Sequence, residues 1–487
     1  MVQKILIVFF IIISQLYLLS NTFADNTGPL DNQFSHQDFT DSDFDEGDTF
    51  PEIDSDIKLK TADNQDKSKF LPGLSINGFL KFETEYGYER SSKKLSKARI
   101  NLFLESNYKI DNNWTFKLSG NGYYDFAYRI ESRKKFARET LDDNEYDISF
   151  KELYIDGKLN AHYSIKAGKQ VIVFGESDYA RVLDIANPRD LTQPGLISIE
   201  DARIPVNLIR FSGNFDQYNF DFVNIYEHPG SRISGKGSDF DYYAGLRDPG
   251  IFILSEDKPE SGFMSSGLGF KITKIFNGGD ISLAAADTYN DQPYLTINDI
   301  NGSGIFLKPR YDKYKTYGIS GNLAKGSTLF KFETGFQHNI KLMRNDILTQ
   351  IKSGISKSLI NTTMETNRLD IVTGIEYTGV TDLRINVEAQ VIHILDYQTC
   401  LNDDKNIYRA YLQATYNMLN NTLKFDAFWV YFYPGNGNIL RLKTNYDLSD
   451  GLSIEAGVIF YNSQNTASPI YYYNNQDRIF FNMKYSF

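Results

Sequence analysis

The sequence predicts an all-β fold, a transmembrane antiparallel β-barrel of about 18 strands (roughly 16–18) with long extracellular loops and short periplasmic turns. Three observations support this prediction. Apolar residues recur at every second position over long segments, tight turns alternate with long connections, and Phe, Trp and Tyr make up 15% of the chain. Period-two alternation gives a strand one apolar face, and an outward apolar band rich in aromatic residues is typical of membrane barrels.

Residues 1–24 are predicted to be a signal peptide. Lys4 precedes an apolar run from Ile5 to Ile13, and Thr22-Phe23-Ala24 offers small residues for cleavage. No other segment approaches the roughly 18 apolar residues that a membrane helix needs, so membrane spanning has to rest on strands. Because Cys400 is the only cysteine, no disulfide can form within the chain. An exported, cysteine-poor and aromatic-rich chain indicates the Gram-negative outer membrane.

Residues 25–69 carry most of the negative charge of the chain. They hold 13 acidic residues and four lysines, net −9. With Lys4 contributing +1 in residues 1–24, about −3 of the formal −11 is left for residues 70–487. A polar segment with so much like charge is expected to be disordered in the periplasm. Its oxygen-rich piece, residues 41–48, also suggests a calcium site, but the glycine comes one place too late for an EF-hand loop. We therefore expect a solvated linker and no metal or other cofactor.

From Leu74 onward the alternation is regular and defines the barrel domain, residues 70–487. One face of each strand suits lipid and the other suits water. Strands of about ten to fifteen residues are long for a soluble sandwich and fit tilted membrane strands. The apolar positions of the first runs are Leu74, Ile76, Leu80, Phe82, Tyr86 and Tyr88, then Ile100, Leu102, Leu104, Tyr108 and Ile110, then Trp114, Phe116, Leu118, Tyr124, Phe126 and Tyr128.

Tight turns alternate with long connections along nearly the whole chain. The strands that these junctions separate number about 18, with both chain ends at the periplasm. A barrel of this size has a lumen too wide for wall side chains to fill, so it holds water, a plug or an infolded loop. The tight turns fall at 111–113, 160–161, 216–217, 277–280, 324–327, 379–382, 420–421 and 449–451, and the long connections at 129–147, 174–206, 227–264, 290–313, 338–367, 395–406 and 462–476.

The last strand alternates up to the final residue of the chain. Its apolar positions are Ile479, Phe481, Met483, Tyr485 and Phe487. This pattern resembles the carboxy-terminal recognition signal of bacterial outer-membrane barrels. The resemblance implies insertion into outer-membrane lipid by the barrel-assembly machinery. We expect the strand to close the barrel by pairing with the first strand, whereas the alternative is an ordinary edge strand.

The most informative interior segment follows the predicted strand Tyr163 to Val173. It reads Gly168-Lys-Gln-Val-Ile-Val-Phe-Gly175-Glu-Ser-Asp178, then Arg181-Val-Leu-Asp184-Ile-Ala-Asn187-Pro-Arg-Asp190, then Glu200-Asp-Ala-Arg203-Ile-Pro205. Over residues 168–210 the chain resembles a family of uncharacterised proteobacterial outer-membrane barrels, a domain of unknown function. That family carries Gly-Arg-Gln, Trp-Gly-Glu-Ser and Asn-Pro-Arg-Asp, and here Lys169 and Phe174 replace the arginine and the tryptophan. Porins and alginate-export barrels are similar around Gly-x-Gln, which implies a wide-lumen channel.

Residues 174–206 form the third outer loop, which in trimeric porins folds into the barrel and narrows it. We therefore expect a porin-like channel for passive or facilitated diffusion of small solutes, with this loop as the constriction. The candidate constriction residues are Glu176, Asp178, Arg181, Asp184, Arg189, Asp190, Glu200, Asp201 and Arg203. They form either a charged constriction that sets selectivity or a salt-bridged plug that stabilises the barrel, and the sequence leaves both interpretations open.

Other function classes fit the sequence less well. An outer-membrane hydrolase needs a nucleophile within reach of a base, and His393, the best placed of five histidines, has no serine motif with it. We therefore expect no enzyme. The negative net charge disfavours a nucleic-acid partner. A receptor or structural barrel with a plugged lumen stays open, as do the identity of the solute and the formation of a homotrimer.

Overall fold

The computed structural model describes residues 72–88, 94–353 and 355–487. The predicted signal peptide, residues 1–24, and the predicted acidic segment, residues 25–69, lie outside the described residues. Within the described ranges, no helix has the length and apolar character needed to cross a membrane.

The described part of the chain is dominated by strands that follow the period-two pattern. In chain order they are β1 Leu74–Gly87, β2 Lys94–Lys109, β3 Trp114–Asp125, β4 Tyr146–Lys158, β5 Tyr163–Gln170, β6 Val206–Phe215, β7 Tyr218–Ile225, β8 Ile251–Ile253, β9 Gly267–Phe276, β10 Gly279–Tyr289, β11 Tyr294–Asn301, β12 Gly304–Arg310, β13 Lys313–Lys325, β14 Thr328–Met343, β15 Thr363–Val380, β16 Leu383–Ile394, β17 Asn406–Met418, β18 Leu423–Tyr433, β19 Gly437–Ser449, β20 Leu452–Asn462 and β21 Arg478–Ser486. Eighteen of them form one antiparallel sheet, and β8, β11 and β12 form a separate small sheet.

The eighteen-stranded sheet closes on itself. β1 pairs with β2 on one side and with β21 on the other, with Phe79 opposite Ser486 and Gly87 opposite Arg478. Closure removes the exposed edges that an open sheet would carry. The predicted strand number and the predicted pairing of the first strand with the last are both confirmed.

Short helices occupy the outer connections. The α-helices are Ala127–Ile130, Arg138–Asn144, Ile199–Ala202 and Ile347–Lys352, and the 3₁₀ helices are Arg133–Lys135, Ala244–Leu246, Lys357–Leu359 and Tyr471–Tyr473. The small sheet also belongs to these connections, with β11 antiparallel to β12 and β12 parallel to β8.

Exposure alternates along the barrel strands in the sense expected for a lipid-facing wall. On β14, Phe330 and Phe332 are 43% and 41% exposed, whereas Glu333, which directly follows Phe332, is 2% exposed. Apolar side chains therefore point outward and polar ones point inward, the reverse of a soluble domain. The carboxy-terminal strand follows the same rule, since its apolar set from Ile479 to Phe487 is exposed on the outer face.

The predicted tight turns are confirmed, and several use residues that tolerate a left-handed backbone. Asp216, Asp382 and Asn421 adopt positive φ values of 48°, 62° and 68°. Asp and Asn adopt this conformation more readily than other residues that have a side chain. One further tight connection, residues 434–436, joins β18 to β19 at the outer end and was not expected from the sequence.

Two predicted strand extensions are wrong. The strand expected from Tyr163 to Val173 ends at Gln170. The third alternating run was expected to continue to Tyr128, but β3 ends at Asp125 and a short helix begins at Ala127. The Asp125 carboxylate accepts hydrogen bonds from the backbone N–H groups of Ala98, at 2.9 Å, and Ala127, at 3.1 Å. This local hydrogen bonding competes with the strand ladder and turns the chain.

Candidate functional site

The third outer loop, residues 171–205, joins β5 to β6 and reaches strands on the far side of the barrel. The Ser177 hydroxyl donates a hydrogen bond to Glu388 of β16 at 2.8 Å, and Arg441 of β19 donates one to the Gly195 carbonyl at 2.8 Å. The loop therefore crosses the barrel interior. Its bounds differ slightly from the predicted 174–206 because β5 ends at Gln170.

Asn187 ties the two ends of this loop together. Its side-chain oxygen accepts a hydrogen bond from the Ile172 N–H at 2.8 Å, and its amide nitrogen donates to the Ile204 carbonyl at 2.8 Å. The residue is fully buried. Because an orphaned buried polar group is costly, these bonds fix the base of the loop against β5 and β6.

A buried ionic cluster lies next to this base. Asp184 pairs with Arg203 at 3.0 Å and with Arg189 at 3.2 Å, and Arg181 donates to the Asp184 carbonyl at 2.5 Å while pairing with Asp291. Burial alone raises the pKa of the Asp184 carboxyl, but the positive charges of the three arginines outweigh burial and hold its pKa below the usual range. The cluster thus joins the loop to the connection between β10 and β11, where Asp291 lies.

The inner part of the loop, residues 176–183, lies against two carboxylates of the wall. Glu333 of β14 accepts hydrogen bonds from the N–H groups of Glu176, Ser177 and Leu183 at 2.7, 3.0 and 2.5 Å. Glu388 accepts hydrogen bonds from the N–H groups of Asp178, Tyr179 and Ala180 at 2.7, 3.1 and 3.2 Å. The wall thus supplies the acceptors for a segment that has no strand partner.

Side chains of the inner segment add further contacts with the wall. Glu176 lies 3.4 Å from Lys271 of β9, and Asp178 lies 2.7 Å from Lys331 of β14. Tyr179 stacks on Tyr411 of β17 with 5.9 Å between ring centroids. The segment is therefore held by ion pairs and stacking as well as by its backbone.

Apolar packing completes the attachment. Val182 and Leu183 are 1% and 0% exposed and belong to a buried cluster that includes Val206, Val372 and Ile459 of the wall. Fully burying such a side chain stabilises by about 1.5–3 kcal/mol. The apolar side chains at the end of the inner segment are thus buried against the wall.

Glu200 and Asp201 differ from the other candidates because they are exposed. They lie on the short helix Ile199–Ala202, whose first turn is capped by the Ser198 hydroxyl accepting from the Asp201 N–H at 3.1 Å. The Asp201 carboxylate acts electrostatically on Lys81 of β1 and Lys484 of β21. The short helix therefore lies within electrostatic range of the two strands that close the barrel.

The wall on that side carries accessible charges of both signs, which we call the charged wall. Lys81 pairs with Glu83 at 3.0 Å, Lys117 with Glu152 at 2.9 Å, and Lys443 with Glu455 at 3.1 Å. Their side chains keep between 14% and 30% of their surface exposed. The remaining members are Glu105, Lys166, Asp156 and Lys484.

The structure divides the nine predicted residues into three sets and one separate residue. Arg181, Asp184, Arg189 and Arg203 come together in the buried cluster, and Glu176 and Asp178 contact the wall. Glu200 and Asp201 face the charged wall. Asp190 stands apart, accepting hydrogen bonds from the Thr192 N–H at 3.0 Å and lying 3.9 Å from Arg232.

Glu333 and Glu388 were missed in the sequence, as were Asp291, Lys331 and Arg441. Each wall residue among them occupies an inward position of an alternating strand. Every strand of the barrel offers several such polar positions, so the pattern holds no signal that singles these residues out.

His393 is the histidine that the sequence places best for catalysis. His393 of β16 shares a hydrogen bond with the Asn406 side chain at 2.6 Å. Among the residues that the structure describes, no group of three or more His, Cys, Asp or Glu side chains is arranged to hold a metal ion.

Comparison with known families identifies the barrel. Residues 77–487 match the family described as "Protein of unknown function (DUF1302)". The chain belongs to this family. The match begins at Asn77, within β1, and runs to the last residue. No curated protein matches the chain.

Solved structures with a similar fold are outer-membrane proteins of low sequence identity. OccAB2 from Acinetobacter baumannii is 9% identical with a TM-score of 0.49, over 85% of this chain and 98% of that one. A BenF-like porin from Pseudomonas fluorescens Pf-5 is 9% identical with a TM-score of 0.48, over 86% and 99%. OccK9 (OpdG) from Pseudomonas aeruginosa is 10% identical with a TM-score of 0.48, over 85% and 97%. Such distant likenesses decide nothing about function, so the closed sheet and its apolar outer face carry the assignment of the protein as a multi-pass barrel of the bacterial outer membrane.

Proposed function

We propose that the protein is a porin-like channel for the passive or facilitated diffusion of small solutes, with residues 171–205 as its constriction. One observation carries the proposal. The inner segment of the loop, residues 176–183, contacts β9, β14, β16 and β17, whereas the side chains of the charged wall on β1–β5 and β19–β21 stay partly exposed. The solute path runs between the short helix Ile199–Ala202 and the charged wall.

This path assigns different roles to the predicted constriction residues. Glu200 and Asp201 line the path and set ion selectivity, because their charges are exposed. Asp184 pairs with Arg189 and Arg203, and these residues hold the shape of the loop. Their side chains are at most 15% exposed and do not line the path.

The charged wall also bears on the kind of solute. Lysines and glutamates alternate there and pair with one another, so no single sign dominates the path. Rings of one charge sign are what strong cation or anion selectivity requires. We therefore infer weak ion selectivity and passage of small polar solutes of either charge.

A liposome-swelling assay with solutes of graded size tests the proposal directly. Purified protein in proteoliposomes should give swelling that falls as solute size rises, and planar bilayers should show discrete conductance steps. Complete impermeability in both assays contradicts the channel.

A barrel with a plugged lumen, serving as a receptor or a structural element, is the second candidate. The dense packing of Val182 and Leu183 against the wall favours it, because the same packing would block that half of the lumen. The swelling assay separates the two candidates, since a plugged barrel admits no solute.

A homotrimer is part of the same proposal. Lipid-facing and subunit-facing strands are both apolar, so the apolar outer face is compatible with either a monomer or a trimer. Light scattering of the detergent-solubilised protein, corrected for detergent, gives the number of chains per particle.

A further inference from the structure

The backbone of residues 176–183 has an unusual set of hydrogen-bond acceptors. Six of its eight N–H groups donate to just two side chains, Glu333 and Glu388. The Ser177 hydroxyl adds a seventh bond, to Glu388 at 2.8 Å. Two strands of the wall, β14 and β16, thus bind one stretch of coil.

Among the described residues, no backbone carbonyl accepts a hydrogen bond from these six N–H groups. The stretch lies outside helices and strands, and Ala180, Val182 and Leu183 are 2%, 1% and 0% exposed. Of the six donors, the N–H groups of Ala180 and Leu183 belong to buried residues, and the other four belong to residues that are partly buried. A buried N–H without an acceptor is as costly as a lost hydrogen bond. The two carboxylates are therefore what makes burial of this coil favourable.

The sequence of the loop is matched to the carboxylates. A Cβ atom added at Gly175 would lie 2.6 Å from Glu333 Oε2, so only glycine lets the backbone approach that oxygen. Ser177 supplies the hydroxyl that Glu388 binds. The Gly175-Glu176-Ser177 motif and the two wall carboxylates form one structural unit, although more than 150 residues separate them in the chain.

We propose that Glu333 and Glu388 are positioning residues of the channel, which fix residues 176–183 on the wall and so set the width of the solute path. The inference rests on the proposed function for its effect on conductance, but its effect on the loop is independent of it. An ionised carboxylate offers only acceptors, whereas a glutamine amide turns an N–H₂ group toward the backbone donors. Glu→Gln substitution at both positions therefore frees the segment and leaves the barrel closed.

A disulfide between loop and wall reports the position of the segment without any reference to transport. A Cβ atom at Gly335 of β14 would lie 2.8 Å from Val182 Cγ1, which places the two Cβ atoms close to the separation of about 3.5–4.5 Å that a disulfide needs. Val182→Cys with Gly335→Cys, in a Cys400→Ser background, should cross-link rapidly on mild oxidation. Adding Glu333→Gln and Glu388→Gln should slow cross-linking about tenfold or more, since each hydrogen bond to a charged group accounts for roughly that factor.

The matched control is Glu105→Gln, which makes the same chemical change at a wall carboxylate that pairs with Lys117 and not with the loop. It should leave the cross-linking rate unchanged. Heat-modified migration on SDS gels verifies that each barrel is closed. If the double variant does not fold, Glu388→Gln alone serves, with a smaller but measurable slowing.

Single-channel recording gives a measurement that would not change if Glu333 and Glu388 only stabilised the fold. The double variant should show current interruptions about tenfold more often than the parent, and the disulfide should suppress them until a reductant is added. Equal cross-linking rates in the double variant and the Glu105→Gln control overturn the proposal. Silent bilayers together with the expected cross-linking pattern would contradict the channel and still support the positioning role.

Discussion

Arg478 on the last strand donates a hydrogen bond to the Glu85 carboxylate on the first strand at 2.9 Å, across the seam of the barrel. Lys97 of β2 also pairs with Glu85, at 2.5 Å, and all three side chains are buried. The seam is therefore closed by side-chain charges as well as by the backbone ladder.

Neutralising Glu85 should weaken this closure. In Glu85→Gln, Lys97 and Arg478 lose their shared counter-charge, and removing one partner of a buried ion pair costs about 3–5 kcal/mol. Guanidinium unfolding in detergent micelles, followed by the fluorescence of Trp114 and Trp429, measures the change. Arg138→Gln, at an exposed pair with Asp142, should cost less than about 1 kcal/mol. Equal midpoints for the two variants would contradict a stabilising role at the seam.

Asp184→Asn is expected to lower stability and leave ion selectivity unchanged. The substitution removes the shared partner of Arg189 and Arg203 in a buried cluster, at a cost of about 3 kcal/mol or more. Because the pKa of Asp184 is held low in the folded protein, its contribution is complete above the unfolded pKa of about 3.9 and is lost as the pH falls through the lower folded value.

The stability difference between the wild type and Asp184→Asn should therefore shrink only in strong acid. Unfolding midpoints between neutral pH and about pH 2 measure it. A changed reversal potential in a KCl gradient, at unchanged stability, would instead place Asp184 on the solute path.

Asp201→Asn should shift ion selectivity toward anions at unchanged stability. The carboxylate is exposed on the short helix and acts electrostatically on Lys81 and Lys484, so its loss makes the charge along the path more positive. The reversal potential in a KCl gradient measures the shift. It should be larger at 0.1 M than at 1 M salt, where the screening length falls from about 10 Å to about 3 Å. Asp142→Asn, on the exposed helix Arg138–Asn144, is the control and should have no effect.

Acid should loosen the outer connection that contains His228. Burial, together with the charge of Lys313, lowers the pKa of His228 to about 4. The unfolded histidine, with a pKa of about 6.5, binds a proton first as the pH falls, so stability is lost between about pH 6.5 and pH 4. Amide hydrogen exchange of residues 226–266, corrected for the intrinsic pH dependence, should rise over this window.

His228→Phe should abolish that rise, since phenylalanine keeps a ring against Tyr289, at 4.5 Å between centroids, and does not titrate. His162→Gln, in an exposed periplasmic turn, should retain the wild-type profile. A pH profile that is unchanged in His228→Phe would assign the effect to another group.

Deletion of Phe487 should reduce the amount of barrel inserted in the outer membrane more than Phe487→Ala does. The backbone of Phe487 exchanges two hydrogen bonds of 2.9 Å with Gly78, which the deletion removes and the alanine keeps. The decrease in inserted protein that both variants share measures recognition of the aromatic ring by the barrel-assembly machinery. Membrane fractionation with Phe276→Ala, an exposed aromatic on β9, serves as control. Equal insertion of all four proteins would contradict a role for the terminal residue.

The fold was predictable from the sequence because each barrel strand obeys one local rule. Lipid on one side and polar lumen on the other impose alternation, and turns such as Asp382 and Asn421 mark where it stops. The ends of β3 were harder to predict, because the Asp125 carboxylate redirects the chain through hydrogen bonds that the apolar pattern does not contain.

Only the loop residues of the site could be predicted from the sequence, and the wall residues that bind them could not. The charged motif at residues 175–190 is visible in the sequence, but its partners lie on strands far along the chain. Glu333 and Glu388 look like any other inward residue until the loop is placed against them. Which loop charges are buried and which are exposed depends on that placement, so Asp184 and Asp201 could not be told apart beforehand.

The pairing of β1 with β21 has a consequence for biogenesis. Thr84 bonds to Phe481, a residue 397 positions later, so the first strand is translated long before its neighbour exists. Until then it presents an unpaired edge, which is a template for aggregation. Contacts this distant in sequence also form slowly. The newly exported chain must therefore travel to the membrane with the edge of its first strand protected from other chains. Pairing of β21 with β1 removes that edge and ends the period in which the chain can aggregate.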